Sequence, residues 1–106
     1  VVRGADLLFS TPRQIWLYLC LGTQPPAYFH HPLVLGVDGR KLSKRDGDYP
    51  LISVANGAGQ LWRALDFLGQ APPPELIDAT PQEVLGWGLE NFSISSVRRE
   101  NHPLHF

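Results

Sequence analysis

Ten prolines and ten glycines divide this 106-residue chain into short segments, and no other feature constrains its fold as strongly. Proline lacks an N–H and fixes φ, so it begins or ends helices, and glycine permits the turn that closes them. The run S-T-P at residues 10–12 predicts a helix that begins with a hydroxyl cap and ends at Gly22. The run T-P-Q-E at residues 80–83 predicts another helix, with a capping box, that ends near Asn91.

Apolar spacing fills in the rest of the chain. A helix is predicted from about Asn56 or Gly57 to Leu68, with Gly69 as its stop. In the first helix the apolar side chains at helical spacing predict core packing; they are Ile15, Trp16, Leu19 and Cys20. Val1 and Val2 are typical of the end of a buried strand. Residues 3–4 are typical of the turn that follows such a strand. Residues 28–31 and 33–35 are predicted to be extended, Asp38-Gly39 to form a turn, and residues 93–106 to be frayed.

Charge is distributed unevenly, although the net charge is only −1. Six basic and two acidic residues lie between Val1 and Arg45, and three basic and eight acidic residues follow. The first part of the chain is therefore the part that suits an anionic ligand. Its lone cysteine, Cys20, excludes an intrachain disulfide and is compatible with a cytoplasmic location.

Both lysines of the chain, Lys41 and Lys44, lie in the run R-K-L-S-K-R at residues 40–45, which has glycines on either side. A glycine-flanked basic run predicts a bendable surface loop, and mobile ammonium groups suit phosphates whose charge shifts during a reaction. Arg3 follows a predicted strand, at the edge where α/β sheets bind ligands, and guanidinium groups pair with carboxylates in a two-pronged fashion. An ordinary solvated turn and an ordinary surface arginine are the alternatives.

Several segments resemble the glutamate-type class I aminoacyl-tRNA synthetases. Residues 1–8 (V-V-R-G-A-D-L-L) and 10–15 (S-T-P-R-Q-I) resemble the family's V-V/I-R-G-x-D-L and S-T-P-R-Q segments. Residues 28–35 resemble the segment that follows them, and K-L-S-K at residues 41–44 resembles the signature loop K-M-S-K-S, with Arg45 in place of its final serine. The resemblance is good for residues 1–70, loose for 71–91 and poor from Ser93 onward.

The residues F-L-G-Q at 67–70 are most similar to the short branch of the family, which acts on the queuosine base of tRNA(Asp). This resemblance implies an enzyme that activates L-glutamate with ATP, accompanied by Mg²⁺, and transfers it to that base. It implies that Arg3 binds glutamate, that Lys41, Ser43 and Lys44 bind ATP, and that the two lysines are catalytic. No metal ligand is expected in this chain.

The resemblance also implies an α/β, Rossmann-like catalytic domain, of which this chain would be a mostly α-helical piece with one or two short core strands. Residues 1–36 would complete that domain, residues 37–92 would carry the signature loop and helices, and residues 93–106 would form an irregular tail. The chain contains no methionine, so we expect it to be part of a longer protein. The family's H-I-G-H motif and zinc site would then precede Val1, and the isolated chain would be inactive.

Three other interpretations remain open. The chain fits a truncated glutamyl-tRNA synthetase that charges tRNA(Glu), a non-catalytic helical interaction module built around its three tryptophans, or a small nucleic-acid binder that uses residues 40–45 alone. We expect a monomer. We also expect no membrane span, because no apolar run approaches 18 residues.

Overall fold

The computed structural model describes residues 1–36, 38–42 and 57–103. These residues form three α helices, α1 (Thr11–Cys20), α2 (Gly57–Phe67) and α3 (Pro81–Asn91). Four short strands accompany them: β1 (Val2–Gly4), β2 (Phe29–His31), β3 (Val34–Leu35) and β4 (His102–Pro103). Short 3₁₀ helices cover Ala5–Ser10, Pro74–Asp78 and Ile94–Ser96. Helices make up about half of the described part, and no helix in it is long and apolar enough to cross a membrane.

The first sheet pairs β1 with β2 in parallel, and its register sets Arg3 beside His30. Arg3 is therefore the middle residue of a strand, and the prediction that it lies in a turn is wrong. Val1 and Val2 were expected to be buried, yet they are 53% and 74% exposed, and the sheet to which this strand belongs has two strands among the described residues.

The second sheet pairs β3 with β4 in parallel, and a tight hairpin joins β3 to the first lysine of the basic loop. The Leu42 amide donates to the Val34 carbonyl at 2.9 Å, and Gly36 donates to the Arg40 carbonyl at 2.7 Å. Gly39 adopts φ +77° in the turn between them, which confirms the turn predicted there. Ser43 and Lys44 lie outside the described residues.

The apolar core lies between α2 and α3, where the described buried hydrophobic residues are Ala58, Phe67 and Val84. The helices approach closely at Gly88, where a Cβ atom would lie 3.4 Å from a methyl carbon of Leu65. Helix α2 ends at Phe67, one residue before the predicted Leu68, and the predicted end of α3 at Asn91 is confirmed. So is the capping box: the Glu83 amide donates to Thr80 Oγ1 at 3.2 Å, and the Thr80 amide donates to Glu83 Oε2 at 2.8 Å. The amide of Thr80 lowers the pKa of the Glu83 carboxyl.

The segment after α3 is held by hydrogen bonds and a ring contact to the residues at the end of α2. The expectation of fraying is therefore wrong for its described residues, 93–103. Buried Gln70 holds its start, donating to the Ser93 carbonyl at 3.0 Å and accepting from the Ser93 amide at 2.7 Å. At its end His102 stacks on Phe67 with ring centroids 4.0 Å apart. The predicted boundaries 1–36, 37–92 and 93–106 remain a prediction.

Helix α1 departs from expectation in two ways. Its apolar stripe is not a core: Trp16 is 66% exposed and Leu19 57%, because α1 packs chiefly on the 3₁₀ helix before it. Ser10 occupies the N-cap position but makes no capping hydrogen bond, since that 3₁₀ helix runs directly into α1. The adjacent hydroxyl, on Thr11, contacts Arg3, His30 and the Leu7 carbonyl instead.

Candidate active site

Arg3 is the centre of a polar cluster formed by β1, β2 and the first turn of α1. Its Nη2 donates to Thr11 Oγ1 at 2.7 Å and also to Gln14 Oε1. Its Nε donates to Nε2 of His30 on the neighbouring strand at 3.4 Å. The guanidinium carbon lies 5.1 Å from the centre of the Tyr28 ring, within range of a cation–π interaction. We call these five residues, Arg3, Thr11, Gln14, Tyr28 and His30, the arginine cluster.

Backbone geometry explains why these side chains meet. The parallel register fixes His30 opposite Arg3, and Thr11 and Gln14 are three residues apart and so share one face of α1. Thr11 is 7% exposed, and its Oγ1 also contacts His30 Nε2 at 2.8 Å and donates to the Leu7 carbonyl at 3.1 Å. One buried hydroxyl thus joins the strand, the 3₁₀ helix and α1 around the guanidinium.

The partners of Arg3 are all uncharged. A hydroxyl and an amide oxygen accept from Nη2, an imidazole nitrogen faces Nε, and a phenol ring lies against the guanidinium. None of these groups neutralises its charge, and no carboxylate among the described residues forms an ion pair with it. A half-buried guanidinium without a counter-ion is unfavourable unless an anion binds it. The cluster is therefore suited to holding an anionic ligand group.

The structure also limits how Arg3 can bind such a group. Two neutral acceptors already use the N–H groups of Nη2, and Nε faces His30. Nη1 is the guanidinium nitrogen without a partner among the described residues. The two-pronged pairing expected from the sequence would require displacing one of these contacts, whereas Nη1 can donate to a carboxylate with the cluster intact.

Lys41 lies close to the same strand. Its Nζ is 2.7 Å from Oδ2 of Asp6, which follows Arg3 by three residues. The ammonium group lowers the pKa of the Asp6 carboxyl, mainly by hydrogen bonding. The Lys41 side chain remains 54% exposed, and exposed ion pairs contribute little, so Lys41 can exchange this partner for another anion.

Gly4 makes this contact possible. A Cβ atom at Gly4 would lie 2.5 Å from Oδ1 of Asp6 and 3.1 Å from Leu33. The absence of a side chain therefore lets the Asp6 carboxylate lie against the strand and reach Lys41. The segment R-G-A-D thus carries both the arginine and the carboxylate that holds the start of the basic loop.

Of the predicted site residues, the structure describes Arg3 and Lys41 and relates both to the end of β1. Ser43 and Lys44 are outside the described residues, so their roles remain predictions. Among residues 1–36, 38–42 and 57–103 no group of three His, Cys, Asp or Glu side chains is arranged to hold a metal ion.

Sequence reasoning missed Thr11, Gln14, Tyr28 and His30 as neighbours of Arg3. The available signal was the run S-T-P-R-Q, in which the first and last polar side chains of the helix, Thr11 and Gln14, have the spacing of a shared helix face. The pairing of β1 with β2, which joins that face to His30, is not visible in the sequence.

Comparison with known proteins identifies the family. The family model for the catalytic domain of class I tRNA synthetases (E and Q) matches residues 1–65. The chain belongs to this family. The predicted resemblance is thus confirmed, although the described residues do not by themselves establish a Rossmann fold.

Individual class I relatives agree with this assignment. The Glutamyl-Q tRNA(Asp) synthetase of Geobacter sulfurreducens is 49% identical over 99% of this chain, and that of Ectopseudomonas mendocina is 50% identical over 93%. The protein of the same name in Dechloromonas aromatica is 46% identical over 95%. The similarity to the short branch of the family is therefore confirmed. The chain spans about a third of the length of these relatives.

Proposed function

We propose that this chain is part of an ATP-dependent enzyme that activates L-glutamate and transfers it to the queuosine base of tRNA(Asp). The names of its relatives support this proposal, and their similarity extends over nearly the whole chain. The observation that carries it is the half-buried Arg3, whose described partners are all neutral. Its unpaired charge suits a carboxylate, the group that distinguishes glutamate.

Arg3 would hold a glutamate carboxylate through Nη1 and orient the amino acid for reaction. The α-carboxylate oxygen then attacks the α-phosphorus of ATP, the bond from that phosphorus to the bridging oxygen breaks, and pyrophosphate leaves. Negative charge accumulates on the departing phosphates, so cations that meet it in the transition state accelerate the step. The resulting glutamyl adenylate passes glutamate to the tRNA base and releases AMP.

Lys41 and Lys44 are the proposed cations, with Ser43 donating a hydrogen bond to phosphate. Lys41 begins this loop from the hairpin on β3, where its Nζ forms an ion pair with Asp6 that phosphates would replace. Class I tRNA synthetases use ATP, typically with Mg²⁺. Mg²⁺ is commonly held by substrate phosphates together with one or two carboxylates, so we assign it to ATP rather than to the described residues.

The test is glutamate-dependent ATP–pyrophosphate exchange in a chimera, in which residues 1–106 replace the matching third of the Geobacter sulfurreducens relative. Lys44→Ala should lower kcat by roughly 100-fold, as expected when a group that stabilises transition-state charge is removed. Arg3→Gln should instead raise KM for glutamate and leave KM for ATP nearly unchanged. Circular dichroism should show that both variants fold.

Controls separate this proposal from its alternatives. Lys44→Arg keeps the charge and should retain more activity than Lys44→Ala, and the isolated 106-residue chain should show no exchange. Exchange that is indifferent to Lys44 and Arg3 would contradict the proposal and favour a non-catalytic module. A chimera that charges tRNA(Glu) but not queuosine-containing tRNA(Asp) would replace the proposed acceptor with that of a glutamyl-tRNA synthetase.

A further inference from the structure

We infer that Gln14 is a positioning residue, which sets the orientation and the charge of Arg3 for the carboxylate of the substrate. The inference rests on the proposed function, because it concerns the same glutamate site. It starts from the contact between Arg3 Nη2 and Gln14 Oε1, which joins the first turn of α1 to β1.

The contact fixes the guanidinium plane. Gln14 and Thr11 both accept from Nη2, and a third acceptor on His30 faces Nε. With Nη2 held by two acceptors and Nε facing His30, the guanidinium cannot rotate about its long axis without losing hydrogen bonds. Nη1, the remaining nitrogen, therefore keeps a fixed direction. Because the Arg3 side chain is ordered before the ligand binds, binding costs less conformational entropy and is stronger.

The chemistry of Gln14 matters as much as its position. An arginine donates only, so the amide must present its oxygen, which is the atom observed in the contact. A glutamate at this position would offer the same geometry and would form a stronger, charge-assisted bond. It would also neutralise the guanidinium, leaving less charge for the substrate. A neutral acceptor is therefore the one that holds Arg3 without competing for it.

If Gln14 positions Arg3, one substitution at residue 14 should change stability and function in opposite directions. Gln14→Glu should leave the melting temperature of the chimera unchanged or raise it, because a new ion pair forms with Arg3. The same substitution should raise KM for glutamate by roughly 100-fold, because the introduced carboxylate competes with the substrate carboxylate and repels it. A side chain that only supports the fold would show no such opposition.

Gln14→Met tests the hydrogen bond without adding charge, since methionine has similar length and helix propensity. Loss of one hydrogen bond to a charged group corresponds to roughly a tenfold change or more, so KM for glutamate should rise by about that factor. KM for ATP should stay within about twofold, because Gln14 makes no hydrogen bond to residues 40–42, the part of the basic loop that the structure describes. The matched control is Gln82→Met, at an exposed glutamine in the first turn of α3, which should change neither constant.

Arg3→Gln in the same assay separates the positioning role of Gln14 from the proposed glutamate site. If it raises KM for glutamate while both Gln14 variants bind glutamate like the parent chimera, the positioning role is overturned and the proposed function stands. If Arg3→Gln leaves KM for glutamate unchanged, the glutamate site itself is wrong and the inference falls with it. The order Glu worse than Met, with Gln82→Met unchanged, supports it.

Discussion

The two ends of the molecule are built on different principles. In the helical region, residues 57–103, apolar side chains are buried between α2 and α3, and Val84 is fully inaccessible. In the strand region, residues 1–36 and 38–42, large apolar side chains of the 3₁₀ helix and α1 face outward, while a threonine is buried beside an arginine. Apolar packing holds the helical region together, whereas hydrogen bonds to the Arg3 guanidinium hold the strand region together.

This difference means that the helical region contributes most of the stability and the strand region carries the groups suited to binding. Packing of apolar groups contributes most to the free energy of unfolding, whereas hydrogen bonds exchange with water and contribute little net. The strand region therefore places its specific groups around Arg3 rather than around a core of its own. Substitutions in the helical region should act on stability, and those in the arginine cluster should act on binding.

The largest effect is expected from a matched pair of phenylalanines. Phe67 is 7% exposed and stacks on His102, whereas Phe9 is 86% exposed. Phe67→Ala should lower the free energy of unfolding by about 3 kcal/mol through lost burial and a residual cavity. Phe9→Ala should change it by less than about 0.5 kcal/mol, as is usual for surface sites.

Urea unfolding of the 106-residue chain, followed by tryptophan fluorescence, measures both variants. Equal losses would contradict the contrast between the regions, since they would mean that Phe9 is buried in solution.

Two glycines with similar backbone angles provide a second pair. Gly22 (φ +73°) has open space where a Cβ would be, whereas a Cβ at Gly69 (φ +76°) would overlap the carbonyl oxygen of Ser96. Gly22→Ala should cost about 1 kcal/mol from left-handed strain alone. Gly69→Ala should cost more, because it must also displace the segment that Gln70 binds at Ser93.

Amide hydrogen exchange at Ser93 distinguishes these variants. Its protection should fall in Gly69→Ala and persist in Gly22→Ala. Retained protection in both would indicate that the segment after α3 is not held at Gly69.

The smallest effect is expected on acidification, and it compares one carboxylate from each region. The pKa values of Asp6 and Glu83 are both lowered, the first mainly by Lys41 and the second mainly by the Thr80 amide. A lowered folded-state pKa stabilises the protein above the unfolded value, near pH 4, and this contribution is lost as the pH falls through the folded value. Stability should therefore decline below about pH 4.

Asp6→Asn and Glu83→Gln should each remove part of this decline. Salt should weaken the contribution of Asp6 more than that of Glu83, because an exposed ion pair is screened whereas a hydrogen bond to a backbone amide is short-range. Carboxyl titrations by NMR at low and high salt measure both pKa values. Equal salt sensitivity would contradict the assigned causes.

The sequence by itself determined the three α helices, the turn at Gly39 and the family. Proline, glycine and capping residues fix helix ends through backbone geometry, so the ends of α2 and α3 and the turn at Gly39 were predictable. The ordered motifs R-G-A-D, S-T-P-R-Q and K-L-S-K were sufficient to indicate a class I tRNA synthetase, because their order and separation are specific.

Only the tertiary structure decided which residues meet. Burial and partners depend on strand pairing and helix packing, which join residues far apart in sequence. The pairing of β1 with β2 brought His30 to Arg3, and the hairpin on β3 brought Lys41 to Asp6. Periodicity predicted a buried stripe on α1 because it records which face is apolar, but it does not record what lies opposite that face.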